Sequence, residues 1–123
     1  MESHLLVTIE MCSKELVCDA DGIIFFENYK EYVAHKIGVG YDYGDVVKEL
    51  IFNICYDNIT DDNAWLDTID SHTLGEMFLE YFSDYNDIPD YIGDLSCDDR
   101  VVDVRIYFDC DEYSPYIVGI EKI

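Results

Sequence analysis

A chain of 123 residues with 28 Asp or Glu against 7 Lys or Arg carries a formal charge of -21 at neutral pH, while 50% of it is apolar and 15% aromatic. The apolar share supplies one packed core and excludes a disordered acidic tail, which lacks the aromatic and β-branched residues that reward ordering. Having only Lys14, Lys30, Lys36, Lys48, Arg100, Arg105 and Lys122 excludes direct binding to nucleic acid, because phosphate contacts are made by Lys and Arg.

Leu5, Val7, Ile9 and Met11 alternate with Leu6, Thr8 and Glu10, the period of a strand with one buried face. A second strand is expected over Leu16 to Cys18. After the turn Asp19-Ala20-Asp21-Gly22, a third follows over Ile23 to Phe26, completing a meander. Asn28 then caps a helix with Tyr29, Tyr32, Val33 and Ile37 on one side, ended by Gly38 and Gly40. Val46, Val47, Leu50, Ile51 and Ile54 predict a second helix.

Thr60 caps a third helix through Trp65, Leu66 and Ile69. Ser71 or Thr73 starts a fourth, with Leu74, Met77, Phe78, Tyr81 and Phe82 inward. Pro89 suits the first turn of a fifth, short helix carrying Ile88, Tyr91, Ile92 and Leu95. Alternation returns after Arg100, with Val102, Val104, Ile106 and Phe108 facing away from Val101, Asp103, Arg105 and Tyr107. Beyond Pro115, a partner strand presents Tyr116, Val118 and Ile120. The expected fold is a single α+β domain over 1–123, without repeat or linker. In it, an antiparallel sheet from the N-terminal meander and C-terminal hairpin packs on a central cluster of short helices.

Between Lys48 and Arg100 lie 51 residues with no Lys or Arg and fourteen acids, half of all the acids in the chain. Glu76 and Glu80 stand four apart on the fourth helix, opposite Leu74, Phe78 and Tyr81. Asp87, Asp90 and Asp94 form a second stripe beside Tyr91 on the fifth. Like charges at that spacing destabilise a helix by roughly 0.2–0.5 kcal/mol per pair, so helix stability does not account for them. A folded chain of this mass exposes on the order of 7,000 Å², leaving one net charge per ~300 Å². Solubility or salt adaptation explains a modest acidic excess, but self-repulsion on this scale argues for a functional surface. Tyr, a common interface residue, is interleaved with these acids. The candidate partner-binding set is Asp67, Asp70, Glu76, Glu80, Asp84, Tyr85, Asp87, Asp90, Tyr91, Asp94, Asp98 and Asp99.

Catalytic and metal signatures are absent from the sequence. His4, His35 and His72 form no H-x-x-x-H or H-E-x-x-H spacing, His72 reads as a polar residue at a helix start, and Gly38-Val39-Gly40 is no phosphate loop. Asp19-Ala20-Asp21-Gly22 and Asp61-Asp62-Asn63 both depart from a calcium loop. Cys12, Cys18, Cys55, Cys97 and Cys110 have no zinc spacing and read as reduced, mostly buried thiols. No apolar run approaches the roughly 18 residues of a membrane helix, and Met1-Glu2-Ser3-His4 lacks the positive region of a secretory signal. The expectation is a soluble cytoplasmic protein without cofactor, metal site, enzymatic activity or membrane partner.

In size, charge and aromatic content the chain resembles the small acidic DNA-mimic inhibitors of phages and mobile elements, the anti-CRISPR and antirestriction proteins. The resemblance spans the composition of the whole chain and rests on no motif, so no family residue or fold carries over. It implies a stoichiometric inhibitor, acting in the host cytoplasm, that occupies the basic nucleic-acid-binding surface of a Cas effector or restriction enzyme. The alternatives are an immunity protein that neutralises a basic toxin nuclease and an acidic adaptor module. A mimic competes with DNA for its target, whereas an immunity protein binding beside the active site leaves DNA binding intact.

Overall fold

The computed structural model describes residues 3–11, 26–57, 59–96, 99–111 and 114–123. In chain order the elements are β1 (Ser3–Met11), α1 (Tyr29–Gly38), α2 (Tyr43–Val47), β2 (Leu50–Cys55), a 3₁₀ helix (Asp61–Thr68), α3 (Ser71–Tyr81), a 3₁₀ turn (Tyr85–Asp87), α4 (Asp90–Gly93), β3 (Val101–Cys110) and β4 (Pro115–Lys122). The strands form one sheet in the order β2-β1-β3-β4, with every neighbouring pair antiparallel. The fold is α+β, with short helices packed on one face of this sheet.

The sheet's inner face follows from alternation. Leu5, Val7, Ile9 and Met11 of β1 are buried, as are Val102, Val104, Ile106 and Phe108 of β3. Leu50 and Phe52 add the β2 contribution, and Ile117 that of β4. The helices answer with Tyr29, Val33, Leu66, Leu74, Phe78 and Ile92, all fully buried. Phe78 joins the layers: its ring lies 5.6 Å from that of Phe52 below and 4.9 Å from that of Phe82 beside it.

Local chemistry sets the helix ends. Asn28 Oδ1 accepts the Glu31 N–H (3.0 Å), and Glu31 Oε2 reaches back to the Glu27 N–H (2.7 Å), so orphan donors at the start of α1 are satisfied. At its other end the Gly40 N–H bonds to the Ile37 carbonyl and the Tyr41 N–H to the Lys36 carbonyl, a Schellman closure. That closure needs the left-handed Gly40 (φ 103°), which a side chain would strain.

Several expectations are corrected. The predicted second helix stops at Val47, and Leu50–Cys55 is a strand paired with β1. The apolar spacing from Val46 to Ile54 suits either period, but Phe52 also faces the core while Ile51 is 40% exposed, which is alternation. Tyr81 is exposed rather than inward: α3 ends there, and the non-helical Phe82 takes the core position. On β4 the buried residue is Ile117, with Tyr116 and Val118 exposed, because an irregularity at Tyr107/Phe108 shifts the register. The third helix is 3₁₀, interrupted at Asn63, whose side-chain oxygen accepts the Thr60 N–H (2.6 Å).

Leu16 to Cys18 and Ile23 to Phe25, the remaining meander strands, lie outside the described residues, and Phe26 belongs to no strand. Cys12, Cys18 and Cys97 also fall outside. Of the other cysteines, Cys55 is half-buried, whereas Cys110 is exposed against expectation because it sits at the hairpin end of β3.

Candidate functional site

The acidic segment is built on α3 and the turns around it. Asp70, and not Ser71 or Thr73, is the N-cap of α3: its carboxylate accepts the Thr73 N–H at 2.7 Å. That bond holds the Asp70 carboxyl below the usual carboxylate range. Ser71 is freed for another task, and its hydroxyl donates to the Phe52 carbonyl of β2 (2.7 Å). Glu76 and Glu80 project from the exposed side of α3, and Glu76 meets His72 at 3.1 Å, one helical turn away.

Asp84 caps the following turn by accepting the Asn86 N–H (2.9 Å). The sequence reading placed Asp87, Asp90 and Asp94 in one helical stripe. They are instead divided, with Asp87 in the 3₁₀ turn and Asp90 beginning α4, because Ile88 and Pro89 between them are extended. Asp98 lies outside the described residues. Asp67, Asp70, Glu76, Glu80, Asp84, Asp87, Asp90, Asp94 and Asp99 are all exposed, whereas Tyr85 and Tyr91 are half-buried against the core.

Compensation of these acids is sparse. Among the described residues the ion pairs are His72–Glu76 and Arg105–Glu121, and the second lies on the sheet. The carboxylates of Asp67, Glu80, Asp87, Asp90, Asp94 and Asp99 make no ion pair or hydrogen bond among the described residues. The whole surface measures 7242 Å², so the net charge amounts to roughly one per 340 Å².

Acids distant in sequence converge on tyrosines. Burial, with Asp84 and Asp87 alongside, pushes the Tyr43 phenol up to about 12. Burial raises Tyr56 too, with Asp67 and Asp70 adding to it. Both hydroxyls are anchored, Tyr43 to the Phe82 carbonyl and Tyr56 to the Ile69 carbonyl. The segment thus presents two tyrosine-centred acid pairs, one at each end of α3, with Glu76 and Glu80 on the helix between them.

Two clefts add residues that sequence reasoning did not single out. One of about 400 Å³ is bordered by Tyr91, Asp94 and Asp99 together with Asp103 of β3 and Lys122 of β4. A smaller one of about 190 Å³ lies between α3 and β4, where Glu80 and Tyr81 face Tyr116. Asp103 had a legible signal, since alternation already placed it on the strand face away from the core. The approach of Tyr116 to Tyr81 had none, because it depends on the register of β4.

Among the described residues no group of three or more His, Cys, Asp or Glu is disposed to hold a metal ion, and no helix is long and apolar enough to cross a membrane. Comparison with models of known families, with curated proteins and with solved structures finds no match to this chain.

Proposed function

We propose that this chain is a stoichiometric protein inhibitor that occupies the basic nucleic-acid-binding surface of a host defence nuclease, of the RNA-guided or restriction type. One observation carries the reading: the described acids between Asp67 and Asp99 are all exposed, and among the described residues His72 is the one basic group paired with them. A rigid array of uncompensated carboxylates offers a cationic channel what a phosphate backbone offers it. Binding releases the same counterions and excludes the duplex. The capped ends of α3 and the anchored Tyr43 and Tyr56 support the reading, because they fix carboxylates at set positions rather than on a mobile tail.

The test is a displacement titration. Purified nucleases of both types are loaded with labelled duplex DNA, and the protein is added at increasing ratio and at two salt concentrations. The expected result is release of DNA and loss of cleavage at one equivalent, weakening steeply with salt. The Asp87→Lys, Asp90→Lys, Asp94→Lys triple variant should keep its circular dichroism and lose the inhibition. Inhibition with DNA still bound would overturn mimicry in favour of an immunity-type mechanism, and full inhibition by the triple variant would remove this face from the contact.

A further inference from the structure

The sheet has two outer strands, and they are not equally protected. β2 has six residues, and the Ser71 hydroxyl covers the Phe52 carbonyl on its outer side. β4 is longer, with eight residues, and among the described residues no strand pairs with its outer edge. The Ile123 N–H donates to the Asp103 carbonyl at 3.1 Å. Alternation along an antiparallel ladder then makes Glu121–Arg105 and Gly119–Tyr107 the bond-exchanging pairs. The N–H and C=O of Ile120 and Lys122 are thereby turned outward.

An exposed edge of this length with Tyr116 and Val118 on it is ordinarily a self-pairing hazard. A second copy is a poor occupant here, because it brings another formal charge of -21. The same charge attracts a cationic strand. The two clefts stand at opposite ends of β4, the Glu80–Tyr81–Tyr116 cleft beside Ile117 and the Asp94–Asp99–Asp103 cleft beside Lys122. At about 3.4 Å per residue those ends are roughly 17 Å apart, within reach of one short extended segment.

The geometry points to β4 as a docking edge for an extended basic segment of a partner protein, added as a fifth strand. It seats a Lys or Arg in the Asp94–Asp99–Asp103 cleft and an apolar side chain against Tyr81 and Tyr116. This rests on the proposed function and specifies it: the anionic face supplies attraction, and the β4 edge supplies register. Charge complementarity selects the occupant, since backbone pairing alone accepts any strand.

The experiment uses an eight-residue peptide alternating Lys and Val, and the same peptide N-methylated at every residue, which has equal charge but offers no N–H along either edge. Binding is followed by fluorescence anisotropy, and amide exchange is read by NMR on the full chain. The expected result is at least tenfold tighter binding of the unmodified peptide, with exchange at Ile120 and Lys122 slowed tenfold or more. Ile120→Pro removes an outward N–H without breaking a ladder bond and should abolish the preference. The wild-type exchange data decide the matter even if that variant folds poorly. Equal affinity for both peptides, or unchanged exchange at Ile120 and Lys122, would overturn strand addition and leave charge recognition standing. Failure of both peptides to bind at low salt would overturn the anionic-surface reading as well.

Discussion

The Tyr43 hydroxyl donates a 2.7 Å hydrogen bond to the carbonyl of Phe82, tying α2 to the residue that ends α3. Removing it in Tyr43→Phe should lower stability by about 1 kcal/mol, measured by urea unfolding at neutral pH. An alkaline signature accompanies that loss. The phenol is held protonated up to about 12 in the folded state, above its ordinary 10.0. Its contribution is therefore complete below pH 10. It is lost between pH 10 and 12, where only the unfolded chain ionises. Unfolding curves of Tyr43→Phe should show a shallower decline across that window than wild type.

At acid pH the sign reverses. Asp70 is lowered chiefly by the Thr73 N–H, and Glu121 by the Tyr107 hydroxyl and then by Arg105. Such groups stabilise the fold above their unfolded range and cease to do so as pH falls through their folded values. Asp70→Asn keeps a capping oxygen but nothing to titrate. It should unfold near the wild-type urea midpoint at neutral pH and lose less on acidification. Asp70→Ala should lower the midpoint at every pH.

Phe78 is fully buried between Phe52 and Phe82. Phe78→Ala should cost about 3–5 kcal/mol in denaturant unfolding, among the largest losses available to one substitution. Val118→Ala, at a residue 49% exposed, should shift the midpoint very little by the same measurement.

Salt should act in opposite directions on folding and on binding. Screening shortens the reach of repulsion among the acids from about 30 Å at 0.01 M to about 3 Å at 1 M. The thermal midpoint of the free protein should therefore rise with sodium chloride, by a few degrees in calorimetry. The complex proposed above with a basic target should weaken over the same range. A melting temperature that falls with salt would mean that the exposed carboxylates are compensated.

The parts of the fold legible in the sequence were those where one local signal had one solution. Asn28 and Gly40 mark the ends of α1, and β3 alternates without interruption from Val101 to Phe108. β2 was ambiguous because Val46, Val47, Leu50, Ile51 and Ile54 fit a helical stripe. Phe52 against β1 resolves the ambiguity, and that pairing is a tertiary event. On β4 a register irregularity opposite Tyr107/Phe108 moved burial to Ile117, which alternation in a single strand does not show. Exposure of the acids followed from composition, whereas their grouping did not. Tyr43 meets Asp84 and Asp87 because the chain returns to it some forty residues later.

β1 sits between two neighbours that arrive late: β2 from residues 50–55 and β3 from residues 101–110. This interior strand is thus made before the other three, and its pairing is completed only when β3 has followed. Closure over such separations is slow relative to local helix formation, because loop entropy must be lost before the long-range pairing rewards it. Throughout that interval an apolar ribbon on each nascent chain is open to its counterpart on the next ribosome of the same message. Mutual repulsion between chains of formal charge -21 opposes that pairing, so the same acidity that costs the folded state some stability acts against misassembly before folding is complete.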